Sequence, residues 1–440
     1  MKHADSSFFR LFNFRDETSV GRSMILLHTF FTGIANIFIT GTFYTGFLTN
    51  NGIDIVRVGI ITFIPYFAWI FGLFGPKLMA RFKKRRSILI FNHVFYYVCV
   101  VLATTLMPMV VSDPGQRTLW FGVFLLLGNV SNALIGSGLT AWHLHFIPDG
   151  QDRNFYFSVT NLVTNLTGTA AAIGASLLTD SLAGSPHQAQ VIVVMRLVSF
   201  VLMLFSGLAL LLVPKEYPYT NVQSDYSLKD VFFRPIRNKK FFLSILVAVA
   251  WNCIGNFNAG TWSYYILNTV GMKYALTYTS SVVCAIGGIF LLSGWRQMIN
   301  RFGWSQIIFV NVVVTGVLEL VMSMTTANTV WIYVLGATIS GLNLIGAQIT
   351  FANVFYINLP KNDPDIYITF YNFMIYIFIF LGSAFGTWLL SVLEKSCSGL
   401  ALLGQPLYGS QVLCWIKCVC YLALAFYIWK VTPIVQPKDA

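Results

Sequence analysis

The chain has 440 residues, and few of them are suited to chemistry: 16 acids, 28 Lys and Arg, 6 His and 7 Cys. Most charges fall in short hydrophilic stretches, but Arg196, Glu319 and Lys417 stand inside long apolar runs. A charge in hydrocarbon is costly, so such a residue finds an opposite charge or serves the passage of a proton, ion or solute. Glu319 and Lys417 lie at similar depth, each about eight residues from the predicted outer end of its run, which pairs them as ions. A carboxyl at that depth is also the first candidate for carrying a proton. His28 is the second, because imidazole titrates near neutrality; a hydrogen-bonded packing role is its alternative. Arg196 has no acid on the third run and is expected to snorkel outward or to reach Asp180.

Uncharged polar residues form stripes at helical spacing in four runs. One stripe is His28, Thr32, Asn36 and Thr40; a second is Asn129, Asn132, Gly136 and Thr140. A third is Asn252, Asn256 and Gly260 with Asn258 beside them; a fourth is Ser340, Asn343, Ala347 and Thr350. Amides and hydroxyls in lipid either hydrogen-bond neighbouring helices or face water and solute. Aromatic residues lie close by in sequence: Tyr66, Trp69, Trp262, Tyr264, Tyr265, Tyr371 and Tyr376. Their flat faces and polar edges suit stacking on a sugar ring or planar base, while Tyr264 and Tyr265 also fit an interfacial belt. None of the four stripes carries an acid or a Lys or Arg, which favours a neutral or zwitterionic polar solute over a phosphate or dicarboxylate.

Other chemistries find no support. The segment HLHFIPDGQD gathers His143, His145, Asp149 and Asp152, but at no ligand spacing typical of a metal site. There is no phosphate-binding Gly-Lys-Ser/Thr loop. Cys414, Cys418 and Cys420 lack an accompanying His or acid and read as packing residues, and an odd, mostly apolar cysteine set argues against a disulfide framework. Neither catalysis, nor a metal, nor any other cofactor is expected.

These residues need elements to hold them, and composition decides which kind. Hydrophobic residues make up 56% of the chain and charged residues 10%, against roughly 25% charged in soluble domains. Crossing a hydrocarbon core of about 30 Å takes about 20 apolar residues in helical form. Twelve such spans are expected, and they are numbered here in chain order: 24–48, 57–77, 87–111, 118–141, 157–181, 189–213, 241–267, 275–297, 304–327, 330–356, 366–392 and 409–430. Backbone amides in lipid must be satisfied within a segment, so the expected fold is an all-α polytopic membrane protein. With the amino terminus inside, alternate loops place 22 basic residues on the inner side and 4 on the outer. This bias predicts cytoplasmic termini and accounts for the net charge of +12 without a nucleic-acid partner.

The two halves echo one another. GTFYTGFLTNNG (41–52) returns as GTWSYYILNTVG (260–271), and QVIVVMRLVSF (190–200) as QVLCWIKCVCY (411–421) with Arg196 and Lys417 in register. ARFKKRRSILIF (80–91) matches NRFGWSQIIF (300–309), and IPDGQDRNFYFSVTN (147–161) more weakly matches LPKNDPDIYITFYN (359–372). Four echoes in one order predict a six-helix bundle over 1–213, a cytoplasmic linker over 214–240 with a short amphipathic helix from Ser227, and a second bundle over 241–440.

This organisation resembles the major facilitator superfamily over essentially the whole chain. Its signature in the loop after the second helix is a Gly, an Asp followed by Arg, a second Gly and further basic residues. FGPKLMARFKKRR keeps Gly75, Arg81, Lys84, Arg85 and Arg86, with Ala80 where the Asp belongs and Lys83 where the second Gly belongs; the second half keeps Asn300, Arg301 and Gly303. The resemblance implies a pathway lined by helices 1, 4, 7 and 10. The expected protein is a monomeric secondary transporter of the cell membrane, plasma or inner. It moves a small, sugar-like solute by alternating access with a proton or sodium ion as possible coupling partner. An exporter of amphipathic compounds and a solute sensor or scaffold without flux are the alternatives. The substrate contacts expected are Thr32, Asn36, Asn129, Asn132, Asn252, Asn256, Asn343, Tyr66, Trp262 and Tyr376.

Overall fold

A computed structural model describes residues 8–79, 81–82, 84–148, 151–214, 228–360, 364–402 and 405–435. Nearly all of these are helical; a hairpin of two-residue strands, β1 (Ala401–Leu402) and β2 (Gln405–Pro406), precedes span 12. Helix starts follow local chemistry. Asp16 caps the helix Glu17–Ile39 by accepting from the Ser19 backbone N–H at 2.9 Å. Together with a bond from the Ser19 hydroxyl, this holds the Asp16 carboxyl below its ordinary range. Asp113 caps Pro114–Ile135 with Pro114 at its first position, and Asn238 caps Lys239–Gly255. Such side chains satisfy amides that have no partner one turn back.

Ten helices among the described residues are long and apolar enough to cross a membrane. The chain is therefore a multi-pass membrane protein. Spans 7 and 8 are not among the ten: span 8 is present as the helix Tyr274–Phe302, and span 7 is interrupted, Lys239–Gly255 ending at Asn256 with a new helical turn beginning at Thr261. Span 1 is interrupted likewise, into Glu17–Ile39 and Gly41–Asn50. The sequence reading had both as continuous, and the recurring dodecamer explains the correction. Each copy opens and closes on a left-handed glycine: Gly41 at φ 58° and Gly52 at 77°, Gly260 at φ 73° and Gly271 at 71°. An L side chain resists that conformation, so the shared phrase encodes a helix break followed by a short second segment. In span 7 the break is packed closely: Gly382 and Gly386, four apart on the helix Pro364–Cys397, lie against the carbonyls of Cys253 and Phe257. Small residues at this spacing let backbones approach.

The chain divides into two compact units, Met1–Ile53 with Ala68–Gln223, and Asp54–Phe67 with Ser224–Ala440. The division departs from a simple split at the linker, since the first part of span 2, a helix over Ile55–Trp69, goes with the second unit. There the Thr62 hydroxyl donates to the Ala259 carbonyl at 3.1 Å, supplying a donor to the broken stretch of span 7. Linker residues 215–227 lie outside the described set; the amphipathic helix is present as Leu228–Arg237. Its Val231 is buried, and Phe232 packs edge-on against Phe370 and Phe373.

Candidate functional site

In the first unit the polar groups of spans 1, 3, 4 and 6 meet. His28 Nδ1 faces Ser206 Oγ at 2.6 Å, and its ring lies 5.4 Å from His93 and 5.7 Å from His143. His93 Nε2 donates to the Met203 carbonyl at 3.1 Å. Beside them Ser131 donates to Asn92 Oδ1 at 2.6 Å, and Asn92 Nδ2 reaches Asn132 Oδ1 at 3.5 Å. Of the remaining stripe residues, Thr32 donates to the carbonyls of His28 and Thr29 on its own helix, and Asn36 is exposed. Asn129 is buried and donates to the Leu125 carbonyl at 2.8 Å. The structure thus gives Asn129 an intrahelical role. The side chain of Thr140 lies outside the described residues.

Arg196 is fully buried in the same unit. It neither snorkels nor reaches Asp180. Its guanidinium donates to the hydroxyls of Thr105 at 2.9 Å and Thr104 at 2.8 Å, and lies 4.2 Å from the centre of the Phe47 ring and 5.2 Å from that of Tyr44. The threonines follow a π-helical stretch, Val98–Ala103, which turns them toward span 6. Ring faces attract a cation, and hydroxyls accept from it, so the site is polar without an anion.

In the second unit Lys417 Nζ meets Glu319 Oε1 at 2.5 Å, with side chains 4% and 8% exposed. Lys417 also donates to Asn258 Oδ1 at 2.8 Å, which ties the ion pair to the break in span 7. Glu319 belongs to a column four residues apart on span 9: Asn311, Thr315, Glu319 and Ser323, all buried. Asn343 on span 10 is buried against this column, donating to the Asn311 carbonyl and the Thr315 hydroxyl at 3.0 Å each. Its amide therefore holds two helices together. Sequence reasoning missed this column, although the spacing of the four residues was there to be read. Asn252 and Asn256 are half-buried and donate to the carbonyls of Ala248 and Asn252 at 2.8 Å, which leaves their side-chain oxygens as acceptors.

Among the aromatics, Trp262 stacks on Tyr265 with centres 5.3 Å apart. Tyr265 is buried and donates to the Thr325 carbonyl at 2.8 Å, so it is not an interfacial residue. Tyr66 and Tyr376 are half-buried. Gly75 is buried at the start of Gly75–Met79, while Arg81 and Lys84 are exposed. Arg85 donates to the Phe82 carbonyl, Arg301 lies over the Phe302 ring, and Gly303 turns the chain between spans 8 and 9 at φ 80°. Ala80, Lys83 and Asp149 lie outside the described residues.

A family comparison matches the Major Facilitator Superfamily over residues 20–383. The chain belongs to this superfamily, a class of transporters rather than enzymes. No curated protein matches it. Similar solved structures include the nucleoside transporter NupG, at 14% identity over 95% of this chain and 99% of that one, with a TM-score of 0.62. A bacterial homolog of the human lysosomal transporter Spinster aligns at 14% identity over 97% and 100%, TM-score 0.65. The POT family transporter PepTSo aligns at 12% identity over 95% and 99%, TM-score 0.69. At such identities the likeness is one of fold.

Proposed function

We propose that the protein is a secondary transporter that carries a small polar solute, neutral or zwitterionic and sugar-like or nucleoside-like, by alternating access. Support comes first from the stripes of spans 1, 4 and 7. Asn36 is exposed, and Asn132, Asn252 and Asn256 are only partly buried, without a charge among them. The open amide oxygens of Asn252 and Asn256 suit the hydroxyl or N–H donors of such a solute. Tyr66, Trp262 and Tyr376 add stacking surface. Asn129 and Asn343 are engaged within their own units, Asn129 by the Leu125 carbonyl and Asn343 by span 9. Glu319 and His28 are the candidate proton carriers in this reading, and the termini face the cytoplasm.

The test is uptake of radiolabelled uridine, glucose and dialanine into proteoliposomes holding the full chain, with and without an imposed proton gradient. Accumulation of one of them above equilibrium under the gradient is expected. Flux that ignores the gradient makes the protein a facilitator; no flux of any probe overturns the carrier reading in favour of a sensor. Asn256→Ala is expected to lower uptake by about tenfold, the effect of losing one hydrogen bond of roughly 1–1.5 kcal/mol.

A further inference from the structure

We propose that His28, His93 and His143 form one proton-binding site within the first unit, where a single proton is shared among three imidazoles. This deepens the transport reading: it rests on it for purpose and turns His28 from a lone candidate into the hub of a cluster.

The geometry carries the argument. The His28 ring lies within 5.4 Å of one partner ring and 5.7 Å of the other, each brought by a different helix. Because a carbonyl can only accept, the bond to Met203 places the hydrogen of His93 on Nε2 and leaves a lone pair on Nδ1. His143 Nε2 is buried with no hydrogen-bond partner among the described residues. An unpaired buried nitrogen is costly, and three apolar rings would fill the same space without that cost. Three imidazoles with a spare acceptor instead offer a place where a proton is bound and its charge spread.

The surroundings limit the load to one. Span 1 brings Arg22, whose Nε donates to the Phe146 carbonyl at 2.8 Å, and span 3 brings Arg86, which donates to the Leu211 carbonyl. Span 6 brings Arg196, ten residues or about 15 Å along the helix from Ser206. Span 5 has no charged residue between Phe155 and Thr179, and span 4 none between Thr118 and Trp142. The other titratable neighbours are Tyr97, 4.9 Å from His93, and Tyr96 beside it. These cations and the first bound proton oppose a second, and the acids of span 1, Asp16 and Glu17, sit at the helix start, eleven residues or more from His28. In the second unit, by contrast, the Glu319 carboxylate is already engaged by Lys417.

His143 lies one residue before the end of the helix Ser137–Leu144, and His145 just beyond it is exposed. His28 lies eleven residues into its helix from Glu17. A proton passes from an N–H of one ring to the lone pair of the next; the bond broken on the donor is replaced by one on the acceptor, and no other reactant is required.

The test is a pH titration of the full-length protein labelled with 15N-histidine in lipid nanodiscs, following the imidazole resonances from pH 8.5 to pH 5. Assignment uses His28→Gln, His93→Gln and His143→Gln. The three rings are expected to titrate together with uptake of one proton. Replacing any one ring is expected to move the midpoint of the other two by about one unit, the signature of coupled sites. Three independent titrations, or three rings neutral throughout, overturn the proposal; this comparison needs only the unsubstituted protein should a variant fail to fold. The solute-uptake assay is separate: proton binding in a protein that moves no solute sinks the carrier reading and leaves the site standing.

Discussion

Lys417 and Arg196 occupy matching places 221 residues apart, and their neighbours lead to opposite expectations. Replacing Lys417 with Met strands a buried carboxylate, and removing one partner of a buried pair costs about 3–5 kcal/mol. Thermal melts of the purified protein in detergent are expected to show this as a large drop in Tm, mostly restored in the double variant Lys417→Met, Glu319→Gln. Arg196→Met strands nothing, because Thr104 and Thr105 also donate to the carbonyls of Val100 and Val101 on their own helix. Its melt is expected to be unchanged or raised; a drop as large as that of Lys417→Met would refute this account of the guanidinium. The Glu319–Lys417 pair was legible because few charges stand at that depth. The setting of Arg196 was not, since hydroxyls and rings give no sign of themselves among many other threonines and phenylalanines. The same holds for the amides: spacing finds a stripe, but only packing separates Asn343, held by span 9, from Asn36, which is open.

At the level of elements, the broken first and seventh spans depend on glycine. Gly260→Ala forces an L residue into the left-handed region, at about 1–2 kcal/mol, and pushes its methyl group into the Thr62 side chain. A lower melting temperature is expected, together with weaker uptake. Gly386→Val is expected to be worse, because its side chain meets the rigid carbonyl of Phe257 rather than a side chain able to turn away. If Gly386→Val folds as stably as the parent, the close approach of the two helices is not needed. The repeated dodecamer announced that the two places are alike. It did not announce a break, since neither Gly41 nor Gly260 has a proline or charge beside it to mark an end, and the hydropathy runs on through it.

For the molecule as a whole, the positive bias predicts which loops face inward. Lys84→Cys and Ser112→Cys test it, both being exposed positions at opposite ends of span 3. A membrane-impermeant maleimide added to intact cells is expected to label the second and spare the first; the reverse pattern would invert the topology. Fold class and family were readable because lipid imposes long apolar helices and because four sequence echoes recur in one order. The allotment of the first part of span 2 to the second unit was not readable, since it depends on contacts distant in sequence. The unequal fates of the two buried cations carry one more consequence. A chimaera built from two amino-terminal halves would bury a pair of guanidiniums and no carboxylate at these places, and one built from two carboxy-terminal halves would hold a pair of ammonium–carboxylate locks. At these two places, then, neither half could stand in for the other without redesigning what surrounds the cation.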